Sequence, residues 1–274
     1  MEKFFFDNFN DVFEFRAALT SRPNNGKGDD ASRNNDNDFA GMSLTDAYET
    51  LTNGIPDVVT RLKREVTRFQ AKTASNLNQR RPINYYNGHS PNVPAAIIGL
   101  PKSMRKVTKT PSKVKTITLF YDVNVPWTVK SADLEKAGFS VFQLVYWLEK
   151  CGYRVRLTVC PCCTQSNGNH EVKVVCSVLL KDFRQPLDML KLSFPLTSVS
   201  MWRRLGFRWI ETVPNLTGNW SAYGNKIEGR EPRMELLRKA GQNVDKGYYI
   251  QYDDCSAVNF DPIKLADRLG IKVG

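Results

Sequence analysis

The sequence predicts an α/β protein: a mixed sheet, mostly parallel with one antiparallel hairpin strand, flanked by helices and preceded by a basic helical and extended segment. Three observations carry this. From Lys115 onward, short β-rich runs and helical periodicity follow one another as strand, helix, strand, strand, helix, strand, helix, strand, helix, a Rossmann-like order. The run "YRVRLTVC" alternates cleanly, with Tyr153, Val155, Leu157 and Val159 on one face and Arg154, Arg156 and Thr158 on the other. Charge is concentrated: Arg61 to Lys115 holds thirteen Lys or Arg and the single acid Glu65, a local +12 in a chain whose total is +11.

Taken in order, "MEKFFFDNFNDVFEF" is apolar but interrupted by Asp7, Asp11 and Glu14. It lacks the unbroken core of a secretory signal and reads as a helix or strand docking on the rest, residues 1–20. Residues 21–42 are rich in Asn, Asp, Gly and Ser and are expected to form a flexible linker. Residues 43–114 form the basic segment. A short helix is expected after Ser43, then a longer one over "IPDVVTRLKREVTRFQAK", where Pro56 and Asp57 suit a first turn. Val59, Leu62, Val66 and Phe69 share one face of it, and Arg61, Arg64, Arg68 and Lys72 the opposite one. Residues 73–114 lack periodicity, carry five prolines and are expected to be extended and irregular.

The core domain is expected over 115–274. "VKTITLFYDVN" has the character of a buried strand, and "FSVFQLVYWLEKCG" that of a buried helix stopped by Gly152. "EVKVVCSVLL" is a second strand after "YRVRLTVC". Helical pieces follow around "PLDMLKLSF" and "SVSMWRRLGF", then a strand "RWIETV", a helix "PRMELLRKAG", a strand "GYYIQY" and a helix "DPIKLADRLG". No run of about 18 apolar residues occurs, so no membrane span is expected. Six cysteines in 274 residues make no disulfide framework and suit a cytoplasmic chain with reduced thiols.

Residues 159–176, "VCPCCTQSNGNHEVKVVC", hold four of those cysteines and one of two histidines. Cys160 and Cys163 have the spacing of half a zinc knuckle, with His170 and Cys176 as the remaining ligands. A C-x-x-C redox motif wants its first thiol at a helix N-terminus, and none is expected there. The third reading is a hairpin turning at Asn167–Gly168, with Cys176 in phase with Val172, Val174 and Val178. The hairpin is the one preferred.

Asp122 and Asn124 end the first core strand, where open α/β sheets place ligand-binding groups. The strand order and Asp122, Asn124 and Pro126 resemble a von Willebrand factor A domain with a degenerate metal motif, so a structural capping role for Asp122 is expected over a weak Mg²⁺ site. No G-x-G-x-x-G or P-loop is present, and His89 and His170 are the only histidines, so no cofactor and no enzyme is expected. A hydrolase pairing Asp122 with Glu211 has only that loop position behind it. Asp253 and Asp254 read as solvated loop acids.

The basic segment interleaves cations with rings: Arg61, Arg64, Arg68, Lys72, Arg80, Arg81, Tyr85, Tyr86, Lys102, Arg105 and Lys106, with Arg203 and Arg204 as a further extension. Cations for phosphates and tyrosines for base stacking are the composition of a single-strand binder. The competing expectation is an adaptor with a degenerate von Willebrand A-like domain, its cationic helix meeting the acidic surface of a polymerase or ATPase partner. The stretches "FFFDNFNDVFEF", "INYYNGHSPNVPAAIIGLPKSM", "FSVFQLVYWLEKCGYRVRLTV" and "PLDMLKLSFPLTSVSMWRRLGF" resemble a family of tailed-phage proteins of unassigned function. That resemblance implies a phage origin, and its pattern excludes the cysteine cluster. The chain is also similar in size and charge to basic single-stranded-DNA-binding proteins through which some lytic podoviruses recruit a phage RNA polymerase.

Overall fold

The computed structural model describes residues 3–25, 37–73, 83–88, 90–106, 115–167, 170–213 and 224–272. The apolar N-terminal run forms a strand, β1 (Lys3–Phe9), and a helix, α1 (Val12–Ser21), whose first amides are capped by the Asp11 carboxylate. Half of the expected linker, residues 26–36, lies outside the described residues. Its end does not behave as a linker: a single helical turn, α2 (Asn37–Ala40), buries Ala40, whose carbonyl accepts from the Ser200 hydroxyl. Helix α3 (Leu44–Asn53) is capped by Ser43 as expected and ends at Gly54, at a φ of 72°.

Helix α4 (Pro56–Thr73) has the apolar face the spacing predicts, with Val59, Leu62, Val66 and Phe69 buried and Val58 beside them. Burying four such side chains contributes roughly 6–10 kcal/mol, enough to fix the helix in place. Next comes a small antiparallel sheet of β2 (Ile83–Tyr85), β3 (Ser90–Pro91) and β4 (Met104–Lys106), with a five-residue helix, α5 (Val93–Ile97), between β3 and β4. β4 is its central strand. The expectation of an irregular 73–114 is therefore corrected for 83–106; the strands are too short to show a period of two.

The core elements follow: β5 (Thr116–Asp122), α6 (Ser131–Lys150), β6 (Arg154–Val159), β7 (Cys162–Asn167) and β8 (His170–Lys181). After them come α7 (Met189–Thr197), a π-helical turn over Met201–Gly206, α8 (Phe207–Thr212) and β9 (Asn225–Lys226). The chain closes with α9 (Arg230–Lys239), β10 (Gly247–Gln251), α10 (Tyr252–Ala257) and α11 (Pro262–Leu269). The result is a mixed α/β architecture. β10, β5 and β6 run parallel, β6 meets β8 antiparallel, and β1 closes the far edge parallel to β8. The N-terminal segment is thus a strand of the core sheet.

The expected hairpin is present. Val159 faces Val178 and Cys162 faces Val175, so β6 and β7 keep one register along β8, down to Asn167 opposite His170. Cys160 and Pro161 interrupt the strand without shifting it: the Cys176 amide donates to the Pro161 carbonyl at 3.2 Å. Thr158, expected outward, is 4 % exposed because β6 is covered on both faces. The expected strand "RWIETV" is helix α8. Arg208, Trp209, Ile210, Glu211 and Thr212 are all buried, and where every side chain is buried no periodicity distinguishes helix from strand.

Helix α6 is buried along most of its length and packs on α7, where Gly138 makes the approach possible: a Cβ there would lie 2.3 Å from the Leu196 carbonyl oxygen. α4 lies against both α6 and α7. Among the described residues no helix is long and apolar enough to cross a membrane.

Candidate nucleic-acid interface

The four cations of the α4 stripe do not stand alike. Arg61 is held by Glu135 of α6 in a two-pronged pair, Nε to Oε1 at 2.9 Å and Nη2 to Oε2 at 2.8 Å. That hydrogen bonding holds its guanidinium above its ordinary pKa. Arg68 pairs with Glu65 one turn back at 2.6 Å. Arg64 and Lys72 are exposed and have no acidic partner among the described residues. The expectation of a purely cationic face is corrected here. Glu135 lies on another helix, so no pattern within α4 announces it.

The small sheet gathers the second group. Tyr85 is paired with Met104, Asn84 with Arg105 and Ile83 with Lys106. Tyr85 and Tyr86 are 42 % and 67 % exposed, and their rings meet edge-on at 6.2 Å. The Lys102 ammonium sits 5.5 Å from the centre of the Tyr86 ring. Lys102 and Arg105 are exposed, and residues 83–106 contain no acid at all. The Tyr86 ring with the Lys102 ammonium beside it can stack a base and meet its phosphate. Arg105, opposite Asn84, lies on the other face of the sheet from Tyr85. The side chain of Lys106, and all of Arg80 and Arg81, lie outside the described residues.

Arg203 and Arg204 are elsewhere, and their place in the surface is corrected. Both are buried in the π-helical turn, at 7 % and 3 % exposure. Arg203 donates to the carbonyls of Phe39, Pro126 and Val129, and Arg204 to that of Met42 at 2.7 Å. Burial lowers the Arg203 pKa. Trp202, expected in the core, is there.

At the end of β5, Asp122 is wholly enclosed. Its Oδ1 accepts from the Asn124 amide at 2.8 Å, and its Oδ2 from Arg233 Nη1 at 2.9 Å and the Tyr249 hydroxyl at 2.6 Å. Burial raises the Asp122 carboxyl above its ordinary pKa, against the opposing charge of Arg233. With both oxygens engaged and a buried guanidinium paired to one of them, the residues present do not suit a weak Mg²⁺ site. Neither is Asp254 a solvated acid: it is 4 % exposed and engaged by Arg230 and Arg268. Glu211 is likewise buried.

Cys160, Cys162, Cys163 and Cys176 are core residues of the hairpin, and burial holds each thiol well above its ordinary pKa. The thiolate that redox chemistry needs is disfavoured there. Among the described residues no group of three or more His, Cys, Asp or Glu is arranged to hold a metal; the His170 side chain lies outside them.

A family model described as a domain of unknown function, DUF7192, matches residues 2–267. The chain belongs to the DUF7192 family. No curated protein and no solved structure matches it. The DUF7192 match begins before β1 and ends within α11, so both sheets and the α4 stripe fall inside it. Sequence reasoning missed Glu135 and Arg233. Glu135 lies on the partly exposed face of α6, and Arg233 inside a charged stretch, "REPRMELLRK", that looks solvated throughout.

Proposed function

We propose that the chain binds single-stranded nucleic acid, DNA foremost, with little sequence preference, through Tyr85, Tyr86, Lys102 and Arg105 in or beside the small sheet and Arg64 and Lys72 of α4. In this proposal it is a non-enzymatic phage accessory protein, working in the cytoplasm of an infected bacterium and recruiting a phage RNA polymerase to the strand. A Rossmann-like, von Willebrand A-like identity for the core belongs to the same proposal, supported by the parallel β10, β5 and β6 and by Asp122 at the end of β5. One observation carries the binding claim: two exposed tyrosines and two exposed cations lie in or beside a small sheet whose 24-residue span has no acid.

A second proposal, a protein adaptor, has its own support. Val93, Ile97, Ile98 and Leu100 are exposed on and after α5, and aliphatic side chains neither stack on bases nor pair with phosphates. They suit a protein partner with acidic and apolar groups.

Fluorescence anisotropy with labelled oligonucleotides at several salt concentrations tests the first. If about six phosphates are met, log affinity falls with log salt with a slope near −4 on a single strand. Tyr86→Ala is expected to cost about 1–3 kcal/mol if the ring stacks on a base. Absence of binding at low salt overturns the proposal and leaves the adaptor, whose partner should then survive nuclease during co-purification.

A further inference from the structure

β5 is the point where the large sheet changes direction. It pairs in parallel with β6 on one side and with β10 on the other, the chain reaching β6 next through α6 and β10 last of all. Open α/β sheets take ligands beside the carboxyl end of such a strand. Asp122 is sealed by Arg233, but just beyond it a cavity of about 450 Å³ opens, lined among others by Phe39, Asn124, Trp127, Trp202, Phe207 and Lys226.

Its walls are aromatic. Trp202 meets Phe207 edge-on at 5.8 Å, and Phe39 stacks on Phe207 at 6.3 Å. Trp127 stands at the rim and is 78 % exposed. Its open face is available for stacking, and its backbone is fixed by hydrogen bonds. The Val129 amide closes a turn onto the Pro126 carbonyl at 3.0 Å. Arg203 then donates to both the Pro126 and Val129 carbonyls and, with its other nitrogen, to Phe39. A buried guanidinium therefore fastens the Trp127 turn to the opposite wall.

Beside Arg203, the polar side chains of Asn124, Asn225 and Lys226 complete the lining. Asn124 is 97 % buried, being 3 % exposed, and its Nδ2 donates to the Cys162 and Gly224 carbonyls at 2.9 and 3.4 Å. Its Oδ1 accepts from no donor among the described residues and is not sealed from solvent, so it is free to accept from a ligand in the cavity. Lys226 reaches the cavity with a side chain 19 % exposed and paired with Asp253.

We propose that this cavity binds a nucleotide: the base stacks on Trp127, an N–H of the base donates to Asn124 Oδ1, and the phosphate is met by Lys226. The occupant must be planar, to lie among rings; it must carry a donor, for the open oxygen; and a phosphate on it takes Lys226 from Asp253. The nucleotide comes from free solution or from a strand, and the strand source alone rests on the nucleic-acid proposal above.

The test uses the full chain and Trp127→Ala, which removes an exposed ring and disturbs no core, with Trp127→Phe as the conservative control. Each is titrated with the four nucleoside monophosphates, with a single-stranded oligonucleotide, and with an abasic strand of equal length. Trp127→Ala is expected to weaken the occupied source about ten-fold or more and Trp127→Phe much less, as stacking contributions allow. The abasic strand should bind wild type and variant alike. Monophosphate binding that depends on Trp127 supports the cavity even if no oligonucleotide binds, in which case only the single-strand proposal falls. Oligonucleotide binding that depends on Trp127, without monophosphate binding, assigns the base to a strand. If no monophosphate binds at millimolar concentration and Trp127→Ala leaves oligonucleotide affinity unchanged, the cavity proposal is overturned while the salt-dependent interface stands.

Discussion

In the large sheet Tyr121, Val155, Leu157 and Val178 have no exposed surface, whereas in the 83–106 unit Tyr86, Val93, Ile97 and Ile98 are each more than half exposed. The two regions treat charge just as differently. Arg233 is enclosed with Asp122, while Arg105 and Lys102 face solvent without an acid anywhere in their unit. Six of the ten large apolar side chains exposed among the described residues fall in 83–106, so the exposure is concentrated rather than scattered. Strands of three, two and three residues cannot bury a face of their own. The large sheet buries its side chains within the chain; the small one leaves most of its own exposed.

The widest separation between the two regions should appear when an arginine is replaced in each. Arg233→Met leaves Asp122 buried without its counter-charge and is expected to cost about 3–5 kcal/mol in denaturant unfolding near neutral pH. Arg105→Met is expected within about 0.5 kcal/mol. The pH dependence has a definite sign. Burial raises the Asp122 pKa in the folded state, so the associated stability is present below the ordinary carboxylate range and lost as pH rises through the folded value. Without Arg233 that loss deepens. The Arg233→Met penalty should therefore shrink in acid, and a penalty that grows in acid would reverse this assignment.

Apolar truncation makes the same contrast with neutral side chains. Leu62→Ala on the buried face of α4 removes a side chain that is 1 % exposed and should cost about 2–5 kcal/mol. Ile97→Ala, at 79 % exposure, should leave stability within about 0.5 kcal/mol. A large loss at Ile97 in the isolated chain would mean that α5 is already covered, and the comparison would fail.

What could be read in advance follows the same divide. The α4 stripe, the Ser43 cap, the hairpin and β10 are elements whose period or cap lies within a dozen residues of sequence, and they stand where the spacing puts them. The small sheet was not legible because its strands are shorter than a period can reveal. Arg203 and Arg204 were misplaced because cations are normally solvated; their partners are carbonyls of Phe39, Met42, Pro126 and Val129, distant in sequence and silent as side chains. Arg61 was right in direction and wrong in company. Of the interface residues, Tyr85 and Arg105 lie on strands of one small sheet, with Tyr86 and Lys102 in contact just beyond its strand ends.

That company gives the smallest and most selective prediction, because α4 carries both kinds of cation on one helix. Arg64 is exposed without an acidic partner among the described residues, and Arg61 is tied to Glu135 at 2.8 Å. Partly exposed pairs of this kind stabilise the fold by about 0–1 kcal/mol, so either can be altered without unfolding the chain. If α4 meets phosphates, Arg64→Met should flatten the single-strand salt slope by about 0.7, the contribution of one phosphate contact. Removing Arg61 and Glu135 together, as Arg61→Met with Glu135→Gln, withdraws a neutral pair and should leave the slope unchanged. Glu135→Gln alone frees the Arg61 guanidinium and should steepen the slope toward one further contact. Should the double substitution flatten the slope as much as Arg64→Met does, Arg61 leaves Glu135 for a phosphate when the strand arrives, and all of α4's outward cations belong to the interface. Should none of the three move the slope, α4 is a solvated face and the small sheet alone carries the contact.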